Sequence, residues 1–146
     1  MRLTMTVTPK NLLSRDVCSI LNKYSEGDMC VLVKVTSKEL CSEELLNFVR
    51  ECRKEDGFKK IEIEVELTRD FDEYDIELYV EAISKLNPDE FHIKQAEWLK
   101  KPRYKTLKEV QGALEHFAEF REENRHRGYQ VFKYNNTRVV FDYVPV

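Results

Sequence analysis

The 146 residues carry 24 basic and 27 acidic side chains, a formal net charge of -3, 42% hydrophobic residues and only four Gly and four Pro. This profile excludes a disordered or collagenous chain, and its balanced charge provides no global field for nucleic acid. Its apolar stretches are only a few residues long, so no membrane span is expected.

Alternation begins at once, with Leu3-Thr4-Met5-Thr6-Val7 showing the period of a strand with one buried face. Pro9 stops it, and Ser14 to Tyr24 reads as a helix with Val17, Ile20, Leu21 and Tyr24 on one side. Ser25-Glu26-Gly27-Asp28 is a turn before a second strand, Val31-Leu32-Val33-Lys34-Val35. Ser42 has the character of a helix N-cap, followed by Glu43 and Glu44 and by an apolar stripe of Leu45, Leu46, Val49 and Cys52. A third strand, Ile61-Glu62-Ile63-Glu64-Val65, lies between Lys60 and Leu67. The next helix carries Ile76, Tyr79, Val80, Ile83 and Leu86, and Asn87-Pro88 stops it.

A short fourth strand, Phe91-His92-Ile93-Lys94, leads to Trp98 and the basic loop Lys100 to Lys105. Thr106 is placed to cap the longest helix, with Leu107, Val110, Leu114, Phe117 and Phe120 at spacings of three and four and Gly128 closing it. The tail holds two strand-like runs, Tyr129 to Tyr134 and Arg138 to Tyr143, separated by Asn135-Asn136-Thr137. Asn tolerates positive φ, so this is a β-hairpin.

The alternating runs recur at a step of thirty: 3 and 5, 33 and 35, 63 and 65, then 93. A strand–helix unit repeated at a fixed step predicts an α/β fold, a two-layer βα repeat with a mostly parallel sheet. Right-handed crossovers put the helices on one face. The units fall at about 1–28, 29–58, 59–89 and 90–128, with a C-terminal β-hairpin at 129–146, all in one domain. A ferredoxin-like α+β sandwich with an antiparallel sheet is the alternative.

On this spacing the even positions form rows across an open sheet face: Arg2, Leu32, Glu62 and His92; then Thr4, Lys34, Glu64 and Lys94; then Thr6, Thr36, Glu66 and Ala96. Glu62-Ile63-Glu64-Val65-Glu66 is too polar for a strand covered on both faces. Lys34 is therefore expected beside Glu64, and His92 beside Glu62.

Two layers with a polar sheet face are also the plan of leucine-rich repeats. The pattern L-x-x-L-x-L is echoed by Phe58-x-x-Ile61-x-Ile63 and Pro88-x-x-Phe91-x-Ile93, without the ladder Asn and with little Leu. Lys94-Gln95-Ala96-Glu97-Trp98-Leu99-Lys100 resembles the Gln-Trp-Lys segment of the leucine-rich-like C-terminal (FTH-type) domain of nematode F-box proteins, with a stretched Gln–Trp spacing. The resemblance implies a partner- or substrate-recognition domain of a ubiquitin-ligase adaptor; the F-box itself is not recognisable in this chain.

Chemistry-bearing motifs are scarce. Four isolated Gly cannot build a phosphate-binding loop, and no G-x-S-x-G or H-E-x-x-H occurs. Cys18, Cys30, Cys41 and Cys52 lack metal-ligand spacing and read as reduced structural cysteines. Asp70, Asp72, Glu73, Asp75 and Glu77 lack the Gly of a calcium loop and suit a helix N-terminus. No metal and no cofactor are expected.

The functional expectation is a non-catalytic protein-interaction module with a protein partner, in the cytoplasm or nucleus because no signal core precedes the first strand. Its expected contact residues are Lys34, Glu62, Glu64, His92 and Lys94 on the sheet, with Trp98, Arg103 and Tyr104 on the loop, since Trp, Tyr and Arg dominate hot spots. One alternative is a small RNA-binding module working through the basic-aromatic loop 98–108; another is an enzyme using His92 and Glu62.

Overall fold

The computed structural model describes residues 3–7, 29–36, 38–54, 58–67, 73–95 and 107–143. The expected helix at 14–24 lies outside them, as do Thr106 and the loop bearing Trp98, Arg103 and Tyr104. Among the described residues no helix is long and apolar enough to cross a membrane.

The chain is an α/β protein with a mixed sheet, and the described residues include three helices. In chain order the elements are β1 (Leu3–Val7), β2 (Met29–Val35), α1 (Glu43–Lys54), β3 (Phe58–Leu67), α2 (Glu73–Leu86), β4 (Glu90–Gln95), α3 (Leu107–Glu115), β5 (Glu119–Asn124), β6 (Tyr129–Tyr134) and β7 (Thr137–Asp142). Among the described residues seven strands run in the order β1-β2-β3-β4-β7-β6-β5. Strands β1 to β4 and the β4–β7 pair are parallel, whereas β7, β6 and β5 pair antiparallel. A ferredoxin-like antiparallel sheet is therefore not the arrangement adopted.

Alternation decides which side chains enter the core. Val31, Val33, Val35, Ile61, Ile63, Val65, Phe91 and Ile93, all odd-numbered, form one buried cluster with the apolar sides of the helices. The helices contribute Leu45, Phe48, Val49 and Cys52 from α1, Tyr79, Ala82, Ile83 and Leu86 from α2, and Val110 and Leu114 from α3. Phe91 and Tyr79 meet there with ring centroids 5.4 Å apart and planes tilted by 56°. The three described helices thus cover the face to which the odd positions point.

Local signals hold the joints. The Ser42 hydroxyl accepts a hydrogen bond from the Leu45 amide at 3.3 Å, capping α1. At the end of α2, Asn87 takes a positive φ of 45°, and Pro88 forbids continuation. The next residue is tied into the sheet: the Ile61 amide donates to the Asp89 carboxylate at 2.7 Å, and the Asp89 amide to the Ile61 carbonyl at 2.9 Å.

That anchoring changes the register expected from a constant step. The partners are separated by 26 residues for Leu3 and Met29, 30 for Val31 and Ile61, and 28 for Ile63 and Phe91. The step of thirty therefore holds between β2 and β3 but slips by two between β3 and β4 and by four between β1 and β2, so Thr4 stands beside Cys30 rather than Lys34. Apart from the irregular Met29–Phe58 pair at the start of β2, the separations are all even, so each side chain keeps its face.

The second correction concerns 116–128. The longest helix expected through Phe120 to Gly128 ends at Glu115, where the Phe117 and Ala118 amides bond to the Leu114 carbonyl at 3.2 and 2.9 Å. Glu119–Asn124 instead extends the C-terminal hairpin as a third antiparallel strand, placing Phe120 edge-on to Phe132 with centroids 5.5 Å apart. Gly128, at a φ of 78°, closes the β5–β6 turn rather than a helix. The β6–β7 hairpin forms as expected, with Asn135 at a φ of 53° in its turn.

Candidate functional site

The even-numbered side chains of the central strands point away from the helices. Lys60, Glu62, Glu64 and Glu66 on β3 share this face with Glu90, His92 and Lys94 on β4 and with Arg138, Val140 and Asp142 on β7. The registers set Glu62 opposite Glu90 and Glu90 opposite Arg138, while Glu64 stands opposite His92 and His92 opposite Val140.

Glu90 is the centre of the arrangement and is only 6% exposed. One carboxylate oxygen, Oε1, takes the Arg138 guanidinium at 2.6 Å. The other, Oε2, takes the Lys60 ammonium at 2.7 Å and faces His92 Nε2 at 3.6 Å. Lys60 also reaches Glu62 at 3.0 Å, so its ammonium bridges two carboxylates on neighbouring strands. On the other side of the imidazole, Nδ1 lies 3.5 Å from the Asp142 carboxylate. Two strands separated by most of the C-terminal half of the chain thus converge on one histidine.

The protonation states follow from these neighbours. His92, first among its partners, holds the Glu90 carboxyl far below the usual carboxylate range, with Lys60 and Arg138 adding to the effect and burial opposing it. Burial alone would push His92 down, but Asp142 and Glu90 outweigh it and raise the imidazole to about 9. Lys60 is likewise raised against burial by Glu90 and Glu62. At neutral pH the cluster is a set of paired ions, with His92 a cation between two carboxylates.

Five of the eight expected contact residues come together on this face. Lys34 stands opposite Glu64, as expected, and the two form an ion pair at 3.7 Å. His92 is corrected: its register partner is Glu64, and Glu62 pairs with Glu90 instead. Side-chain reach restores part of the expectation, since ligand atoms of Glu62, Glu90 and His92 lie within 4.8 Å of one another. Lys94 stands opposite Glu66 rather than Glu64, and Leu32 sits between Thr6 and Glu62 in a row without His92. Trp98, Arg103 and Tyr104 are outside the described residues.

Four members of the cluster escape the sequence reading: Lys60, Glu90, Arg138 and Asp142. The first two flank alternating runs and extend the same even-numbered series, a signal that was available. Arg138 and Asp142 enter only because β7 inserts beside β4, a pairing no local pattern announces.

Chemically, the cluster holds the chain's own Lys60 and Arg138 cations against the Glu62 and Glu90 carboxylates. A protonated His92 cannot serve as a general base near neutral pH, and its two nitrogens face Glu90 and Asp142, not a hydroxyl or thiol. Comparison with family models, with curated proteins and with solved structures finds no match to this chain.

Proposed function

We propose that this chain is a non-catalytic protein-interaction module that meets its protein partner with the polar face of the sheet. The observation that carries the reading is the ordering of that face. Charges on β2, β3, β4 and β7 are held in fixed positions by cross-strand pairs, from Lys34–Glu64 to Arg138–Glu90. A preset charge pattern on a rigid sheet suits selection of a complementary partner, because like-charge juxtaposition penalises the wrong one. The state of His92 favours contact over catalysis, since it is engaged as a cation.

The parallel order of β1 to β4 supports a βα repeat of about thirty residues as the origin of this surface, with partner spacings of 26, 30 and 28 residues. Together with the segment Lys94 to Lys100, that repeat favours the recognition domain of an F-box-type adaptor, working in the cytoplasm or nucleus.

The test uses the exposed rim of the face. Lys34→Glu with Lys94→Glu inverts two solvent-facing charges without touching the core, and Arg50→Glu on exposed α1 is the control. Quantitative affinity capture of the full-length protein should lose a defined set of partners in the first variant and keep it in the second. Recovery of ubiquitin-ligase core subunits tests the adaptor assignment separately. Identical partner sets in both variants would contradict the sheet face as the contact surface. Binding to RNA that weakens steeply with salt would favour the RNA-binding alternative instead.

A further inference from the structure

The spacing around His92 is not that of a finished hydrogen-bond network. Its Nε2 is buried and has no hydrogen-bond partner, and the nearest oxygen, Glu90 Oε2, is 3.6 Å away. A normal N–H···O bond spans roughly 2.7–3.2 Å. By contrast, ligand bonds of about 2.0–2.2 Å to a tetrahedral ion put the donor atoms about 3.4 Å apart. The Nε2–Oε2 separation is therefore closer to that of two ligands on one ion than to a hydrogen bond.

The surroundings fit the same chemistry. Glu62, Glu90 and His92 each offer one donor atom, all within 4.8 Å of one another. Asp142 faces the opposite ring nitrogen, Nδ1, at 3.5 Å. A carboxylate on that side orients a metal-ligating histidine and leaves Nε2 as the donor. Arg138 engages Glu90 through Oε1, leaving Oε2 on the side of His92.

A cation already lies between the two carboxylates. It is the Lys60 ammonium, 3.0 Å from Glu62 and 2.7 Å from Glu90. The Lys60 side chain is 23% exposed, and its flexible four-carbon stem gives it a route to solvent. An incoming divalent ion would take over an anionic slot that the fold maintains.

We propose that Glu62, Glu90 and His92 form a binding site for a divalent transition-metal ion of the zinc type, in which the metal displaces the Lys60 ammonium and the Nε2 proton of His92, which is released to solvent. An imidazole nitrogen with two carboxylates suits zinc, whereas magnesium and calcium prefer sites built from oxygen and water. Three protein donors leave a fourth position toward the open face. The proposal is independent of the partner surface, because metal binding is read on the isolated protein.

Chelator-treated protein is titrated with Zn²⁺, and with Mg²⁺ as the contrast, by calorimetry and by equilibrium dialysis with metal analysis. The expected result is one Zn²⁺ per chain and no comparable Mg²⁺ binding. Glu62→Gln and His92→Ala should each weaken Zn²⁺ binding by about tenfold or more, and Lys60→Met should tighten it severalfold. The Lys60 and Glu62 variants keep the test decisive if His92→Ala fails to fold. Unchanged affinity in Glu62→Gln and His92→Ala would assign the bound zinc to other groups, such as cysteine thiols, and overturn the proposal. So would the absence of Zn²⁺ binding in both the wild type and Lys60→Met.

Discussion

The two faces of the central sheet are made by the same strands and obey opposite rules. On β3, Ile61, Ile63 and Val65 are buried against three helices, while the intervening Glu62 and Glu64 join a network of ions. On β4, Phe91 and Ile93 contribute apolar area while Glu90 and His92 contribute charge. The apolar face gains stability from removing surface from water and tolerates small shifts in partner identity. The charged face gains little from any single exposed pair, but its buried centre penalises removal of one member severely. One strand can therefore provide a robust interior and a position-sensitive surface.

The largest expected effect breaks the apolar side. Phe91→Ala removes a ring packed on Tyr79 and should cost about 3–5 kcal/mol in chemical denaturation. A loss below about 1 kcal/mol would show that α2 does not pack on β4 as described. Next is the hub of the other face. Glu90→Gln leaves Lys60, His92 and Arg138 without their shared carboxylate and should cost about 2–3 kcal/mol, reduced from a fully buried case because Arg138 is half exposed.

The pH dependence sharpens the contrast. His92 is raised in the fold to about 9 from an ordinary 6.5. Its contribution is therefore fully present below about 6.5 and lost as pH rises through about 9, because the folded state holds the proton longer. The difference between 6.5 and about 9 corresponds to about 3.4 kcal/mol, and because Asp142 is partly solvent-exposed the stability of metal-free protein should fall by about 2 kcal/mol across that window, with His92→Gln flattening the curve. Equal slopes in the two proteins would remove His92 from the network. The smallest effect belongs to the rim, where Lys34→Ala should change stability by less than about 0.5 kcal/mol and be insensitive to salt within error.

The faces were legible in the sequence, and the partners only in part. Period-two alternation assigns Ile63 and Glu64 to opposite sides whatever the register, and even slips preserve that assignment. Lys34 was correctly placed beside Glu64 because the thirty-residue step is real between β2 and β3. His92 was placed one row away because Asp89 anchors to Ile61 and shortens the next step to 28 between Ile63 and Phe91. Leu114, Phe117 and Phe120 keep helical spacing, yet Phe120 lies in an added strand, partly exposed and edge-on to Phe132. Arg138 and Asp142 depend on a long-range insertion of β7 beside β4, which contributes half of the His92 environment without any local trace.

The open face is organised around a cationic His92 between Glu90 and Asp142. Titrating the His92 imidazole by NMR in metal-free protein measures this directly. The expected midpoint is about 9, moving toward the ordinary value in Glu90→Gln. A wild-type midpoint near 6.5, unchanged in that variant, would contradict it.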